Sequence, residues 1–269
     1  MTAPPRRRGG RAARMEATRA ALAQAGAGGG GGRDALGAPS LAAAPDSGAA
    51  ATALRAGAAA GPAPRGGPPA HVLIACGALA RETLAVIAAG GFEGLALRCL
   101  PASLHNRPEQ IPDRVRAAVL AARAEGAAAV SVLYADCGTG GRLDAVCAEL
   151  GVARIRGPHC YAFFEGLEAF EAHAEDELGA FYLTDFLARQ FDALIWRGLG
   201  LDRAPELRAV YFKHYDRVVY LAQTDDPALD RAAAAAAARL GLPLVRRATG
   251  YGELATAVAA AAQGRGREG

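Results

Sequence analysis

From residue 71 onward the chain alternates short apolar runs with amphipathic segments, and three of the runs lead into a cysteine. HVLIACG (71–77) closes on Cys76 and a glycine, VSVLYADCGTGG carries Cys137, and ARIRGPHC leads to Cys160. Short apolar runs bounded by glycine and separated by helical stretches are the pattern of strands buried on both faces of a parallel sheet. Alternating strands and helices predict right-handed crossovers in an α/β fold. In such a sheet the carboxyl ends of the strands share one edge, and ligands bind in the crevice there. Three thiols far apart in sequence are therefore expected at one edge.

The predicted strands cover 71–77, 93–101, 128–138, 152–157, 216–224 and 243–250. A helix is expected over 78–90, closed by Gly90 and Gly91. LPASLHNRPEQIP is expected to be a loop, because Pro108 and Pro112 interrupt helical geometry, with Asp113 capping the helix that follows. From 161 to about 210 the pattern predicts helices alone. The expectation is one mostly parallel sheet, Rossmann-like or flavodoxin-like, flanked by helices, with a helical insertion over 161–210 covering one sheet edge. No internal repeat at a fixed period is present.

Residues 1–70 differ from the rest. They are Ala, Gly, Pro, Arg and Ser-rich and contain no aromatic residue. So little large apolar surface does not offset the entropy of ordering, so this stretch is expected to be a disordered tail before a single domain over 71–265. The tail holds nine arginines against Glu16, Asp34 and Asp46, a charge of +6, whereas the whole chain is +3. The basic character thus belongs to the tail, and the domain is mildly acidic. Lys213 is the only lysine in the chain, so the arginines reflect composition, and no nucleic-acid partner is expected. No apolar leader follows the arginines, and no run nears the roughly 20 apolar residues of a membrane span. A cytoplasmic protein without a membrane partner is expected, with Met15 as a second candidate start. An odd count of five cysteines in that setting points to reduced thiols, metal ligands or catalytic groups.

Cys76 falls between a strand and a helix N-terminus, where the dipole favours thiolate. Asp136-Cys137-Gly138-Thr139-Gly140-Gly141 is the most pointed segment. Gly138, Thr139, Gly140 and Gly141 leave backbone N–H groups that could face an anionic substrate or cofactor. The segment matches neither the dinucleotide fingerprint nor the P-loop. His159 and Cys160 are adjacent, and Cys160 is the one expected to reach the centre. His105, in the proline-stiffened LHNRPE, supplies a base on a loop beside the same edge. Cys99 and Cys147 sit on a strand and on an apolar helix face, and are expected in the core. Tyr182, Thr184 and Asp185, the Gln223–Asp226 run and the Thr249–Gly252 turn are weaker candidates, with Thr184 also a candidate helix cap.

No C-x-x-C pair occurs, which argues against a zinc ribbon or a ferredoxin-type motif. A dispersed set remains: Cys76, Cys137 and Cys160, with His105 as a fourth ligand or a general acid–base. Such a set suits zinc, or an iron–sulfur cluster with one open iron.

The segments ACGALARE, LPASLHNRPE, YADCGTGGRLD, HCYAFFEG, FYLTDFL, LGLDRAPELR, VVYLAQTDD and TGYGEL together resemble the bacterial and archaeal family called domain of unknown function 1638. The resemblance spans about 71–255. Cys76, Cys137 and Cys160 fall in its matching segments, and His105 in the matching LHNRPE. YFKHY departs from it, because Lys213 stands where the family usually has glycine. The resemblance names no activity. It implies a setting beside corrinoid-dependent methyltransferase systems, and so one-carbon metabolism.

Three functions follow as expectations. The first is an enzyme or accessory factor with a cysteine-ligated metal or iron–sulfur centre, in which His105 and Cys137 carry the chemistry. The second is a metal-free transferase or hydrolase with Cys137 as nucleophile, activated by His105 or His159. The third is a non-enzymatic partner or sensor of a corrinoid methyltransferase system. Direct corrinoid binding is not expected, since the chain lacks a D-x-H-x-x-G run.

Overall fold

A computed structural model describes residues 70–264. The expected tail over 1–70, apart from Ala70, lies outside the described residues. The fold is α/β, with parallel strands flanked by helices, but the strands form two sheets.

The first sheet has the order β2-β1-β3-β4, from β1 (His71–Cys76), β2 (Leu95–Leu100), β3 (Ala129–Leu133) and β4 (Ala153–Arg154). All its pairings are parallel, with Cys76 opposite Leu100 and Ala75 opposite both Cys99 and Leu133. β1 is the central strand, and Val72, Leu73, Ile74 and Ala75 are fully buried. This is why its sequence shows an unbroken apolar run instead of alternation. His71 opens the strand with its Nε2 2.9 Å from Ser131 Oγ on β3.

Helices α1 (Ala80–Gly90), α2 (Ile111–Ala124) and α3 (Arg142–Leu150) flank this sheet. A short 3-10 turn, Gly77–Leu79, separates Cys76 from α1. α2 starts earlier than the sequence suggested. Ile111 and Pro112 occupy its first turn, where a missing N–H costs nothing, and Asp113 lies inside that turn and not at the cap.

The second sheet has the order β5-β6-β7, from β5 (Ala180–Thr184), β6 (Arg217–Ala222) and β7 (Leu244–Ala248). β5 corrects the expectation of helices alone over 161–210. Short helices α4 (Ala162–Glu165) and α5 (Leu167–His173) precede it, and α6 (Asp185–Phe191), a π-helical turn (Asp192–Trp196) and α7 (Leu207–Tyr211) follow. The reason is local. Thr184 caps α6, its Oγ1 accepting from Leu187 N at 3.3 Å, so the helix begins only at Asp185. The residues before the cap are then extended and pair in register with β6, Ala180 opposite Arg217 through Thr184 opposite Leu221.

α8 (Pro227–Leu240), capped by Asp226, covers the second sheet. The last helix, α9 (Gly252–Ala262), returns to the first sheet, where Leu254, Val258 and Ala261 join its core. The two sheets thus share one chain that crosses over and comes back.

Asp185 ties the second sheet's strand ends together. It is fully buried and accepts from Tyr220 Oη at 2.7 Å, Gln223 N at 3.1 Å and Thr224 Oγ1 at 2.6 Å. Its own N–H donates to Gln223 Oε1 at 2.8 Å. Removing the carboxylate leaves three donors without their acceptor in a buried place, a desolvation cost of 1–3 kcal/mol for each donor that finds no substitute. Asp185→Ala is therefore expected to lower unfolding free energy by roughly 2–5 kcal/mol, measured by urea denaturation. A loss below about 1 kcal/mol would mean that water or neighbouring groups replace these bonds.

Candidate functional site

Two backbone hydrogen bonds carry the β3–β4 pairing past the end of the sheet. Asp136 N donates to Gly157 O at 2.9 Å, and Cys137 N donates to Pro158 O at 2.8 Å. This sets the segment after β3 beside the segment after β4. Cys137 and Cys160 consequently face each other with sulfurs 3.3 Å apart, and Ala135 N donates to Cys160 Sγ at 3.5 Å. Cys76, from the end of β1, is the second neighbour of Cys160. All three thiols are free and buried.

The turn that carries Cys137 is strained and anchored. Cys137 has φ 47°, the left-handed region, and is the only non-glycine residue with positive φ among the described residues. That conformation costs about 1–2 kcal/mol. Gly138 follows at φ 86°, and a β-carbon there would come within 3.4 Å of Pro108. Asp136 holds the turn in place. It accepts from Thr139 Oγ1 at 2.6 Å, Gly140 N at 3.1 Å and Gly141 N at 2.8 Å. Burial pushes the Asp136 carboxyl up, but these hydrogen bonds outweigh it and hold its pKa below the usual value.

The N–H groups of Thr139, Gly140 and Gly141 are therefore spent on Asp136. The Asp136 carboxylate stands against Thr139, Gly140 and Gly141, within the Gly138–Gly141 stretch where an anion was expected. Of this turn only Cys137 lines the cavity described next.

A cavity of about 260 Å³ opens at the carboxyl edge of the first sheet. Its polar wall contains Cys76, Cys137, Cys160, His105, His159 and Tyr134. The opposite wall comes from β5, α6, the π turn and the segment around α7. The stretch expected to cover the sheet edge does line the cavity facing the thiols, although part of it is a strand.

Electrostatics order the three thiols. The hydrogen bond from Cys160, and then the nearby His105 and His159 imidazoles, pull the Cys137 pKa well below that of an ordinary thiol, against the effect of burial. Cys76 is lowered by its hydrogen bond with Cys160. Cys160 is raised well above the usual value, because it holds the proton between Cys137 and Cys76 and is itself buried. Cys137 is thus the first of the three to ionise and Cys160 the last.

His105 stands on the 3-10 turn Ala102–Asn106 after β2 and hydrogen-bonds Cys137. His159, the alternative activator of Cys137, also lines the cavity, with its ring stacked on Tyr161 at 4.9 Å. Tyr161 in turn stacks on Tyr182 at 5.0 Å, and Tyr182 donates to Glu177. Tyr134 was missed. Its hydroxyl is buried beside Cys76 and has no hydrogen-bond partner of normal geometry.

Cys99 and Cys147 lie outside the cavity lining, as core packing requires. Burial pushes the first up to about 12 and the second up to about 11. Asp185 and Thr184 serve the second sheet's network and a helix cap.

Among the described residues, no group of three or more His, Cys, Asp or Glu side chains is already arranged as metal ligands. Cys137 and Cys160 are in direct sulfur contact, with Cys76 beside Cys160. Tetrahedral zinc with Zn–S bonds of about 2.3 Å would hold its sulfurs about 3.8 Å apart. The Cys137–Cys160 contact of 3.3 Å falls short of that by about half an ångström.

The family model described as Protein of unknown function (DUF1638) matches residues 99–258, and the chain belongs to that family. The match begins at Cys99, so β1 and Cys76 precede it. No curated protein and no solved structure matches the chain.

The sulfur contacts predict a selective cross-link. Treatment of the reduced protein with diamide, which accepts the two hydrogen atoms released, should join Cys160 to Cys137 ahead of any pair containing Cys99 or Cys147. Peptide mapping by mass spectrometry reads the order. A first cross-link through Cys99 or Cys147 would contradict the geometry.

Proposed function

For this DUF1638 chain we propose a thiolate-ligated metal centre, zinc or an iron–sulfur cluster, held by Cys76, Cys137 and Cys160. One observation carries the reading: three buried thiols, delivered after three separate strands, share one cavity wall, two of them in sulfur contact. Burying three reduced thiols at a cavity edge gives a fold little beyond what alanine or serine gives. A soft cation gives them a purpose, because it neutralises thiolates that burial otherwise disfavours.

The donor chemistry suits such a group, although the sulfurs as placed would have to move apart to hold it. Cys137 is readied for ionisation by the Cys160 hydrogen bond and then by two imidazoles, and the sulfur separation needs an opening of about half an ångström to admit zinc. Three protein ligands leave one position for His105 or for a ligand from the cavity, as catalytic zinc sites do. When bound, the metal would supply Lewis-acid or redox chemistry at the thiol wall. The chain's own residues would exclude water from that wall, orient the ligand, and hold a proton at His105 or His159.

A second reading is favoured by the hydrogen bond between His105 and Cys137. Cys137 would then be a nucleophile with His105 as its base, and no metal would be involved. In that case Cys76 and Cys160 are neighbours only.

Metal and acid-labile sulfide analysis of the full chain, purified without oxygen, decides between them. Iron with sulfide, or zinc near one per chain, is the expected result. Metal-free protein with all five thiols open to titration would remove the metal centre and leave the nucleophile.

A further inference from the structure

The cavity that holds the thiols has no charged side chain in its lining: no Asp, Glu, Lys or Arg contributes to it. Its ionisable groups are thiols and two imidazoles at the first sheet's edge, and tyrosines on both walls. The far side is mostly apolar, built from residues such as Phe181, Phe186, Leu187, Leu194 and Phe212, with tyrosines and Thr184 among them.

Two of these side chains are present for the cavity and not for the fold. Phe186 and Leu194 are only partly buried and line the cavity, yet neither packs into any of the described hydrophobic cores. Their neighbours Leu187 and Ile195 do pack into the second sheet's core. A helix surface with no ligand to meet would place polar residues at 186 and 194. Large apolar groups left facing an enclosed space mark a binding surface.

We infer that the cavity binds an uncharged, ring-sized apolar molecule, with its hydrocarbon body against Phe186 and Leu194 and a single polar or sulfur-bearing head at the thiol wall. Three arguments lead there. The lining holds no Asp, Glu, Lys or Arg, so an ion seated against Phe186 and Leu194 finds no fixed opposite charge and loses its hydration, which disfavours carboxylates and ammonium groups there. The volume, about 260 Å³, exceeds the roughly 150 Å³ of a dry apolar cavity that takes up benzene, so a ring with one substituent fits. A buried hydroxyl without a partner of normal geometry, that of Tyr134, lies at the thiol wall beside Cys76, with His105 beside Cys137, so a head group can be received there. The small anionic substrate expected from the glycine turn has no arginine or lysine to meet in this cavity. The assignment of the head-group end as the reacting end rests on the thiolate centre proposed above, whereas the apolar body site does not.

The test uses three probes of equal size: fluorobenzyl alcohol, fluorobenzoate and fluorobenzylammonium, titrated against the full chain and followed by fluorine NMR. The neutral alcohol is expected to bind at least about tenfold more tightly than either ion. Phe186→Ala and Leu194→Ala are each expected to weaken it by roughly tenfold, the effect of removing part of an apolar pocket wall. Because neither side chain packs into a core, the melting temperature of both variants should stay near that of the parent. Either ion binding as tightly as the alcohol, no probe binding at all, or full affinity in both variants would overturn the inference. Metal content measured on the same samples separates the two claims. Metal-free protein that selects the alcohol upholds the apolar site and removes the centre, and metal-loaded protein without selectivity does the reverse.

Discussion

Parallel pairing of β1, β3 and β4 is the constraint on which the site depends. Three strands that run the same way must end at the same edge, so residues far apart in sequence are delivered together. The backbone bonds Asp136 N to Gly157 O and Cys137 N to Pro158 O extend that alignment beyond the last paired residues of the sheet. Without them, Cys137 and Cys160 would sit on two independent loops. With them, the sulfurs meet at 3.3 Å.

The arrangement is costly, which bears on what it is for. Cys137 is held left-handed, and three thiols are removed from water with few partners beyond each other. Asp136 offsets the strain by taking the three donors of its own turn, each a hydrogen bond to a charged group worth about 1.5–3 kcal/mol. The result is a rigid perch for a single sulfur. Strain concentrated at one cavity-lining cysteine, with two imidazoles beside it, is what a functional position looks like and not what core packing requires. The second sheet supplies the complementary part: an aromatic and aliphatic wall without charge, set against the thiols. One chain thus builds a chemical face from strand ends and an apolar face from helices.

Much of the fold was legible because burial leaves a direct trace in sequence. The unbroken run Val72–Ala75 marks a central strand, and Gly91 and Gly151 mark helix ends in the left-handed conformation. β5 was not legible in the same way. Phe181, Tyr182 and Leu183 followed by Phe186, Leu187 and Phe191 fit helical spacing as well as strand propensity. The Thr184 cap, which separates the two, was noticed without its consequence. The glycine turn was partly legible for a different reason. Its amides were visible in sequence, but an aspartate directly before such a turn can accept from them itself, as Asp136 does. Tyr134 and the pair Phe186 and Leu194 could not be singled out, because only the structure distinguishes an aromatic that lines a cavity from one that fills a core.

The central claim is that Cys76, Cys137 and Cys160 act as one site. Cadmium titration of the reduced protein, followed by the thiolate-to-metal charge-transfer absorption, tests it most directly. The account predicts a tight one-to-one complex with the intensity of three thiolates, weakened and dimmed in Cys76→Ser, Cys137→Ser and Cys160→Ser but unchanged in Cys99→Ser and Cys147→Ser. No charge-transfer band in the parent protein, or an undiminished band in Cys160→Ser, would contradict it.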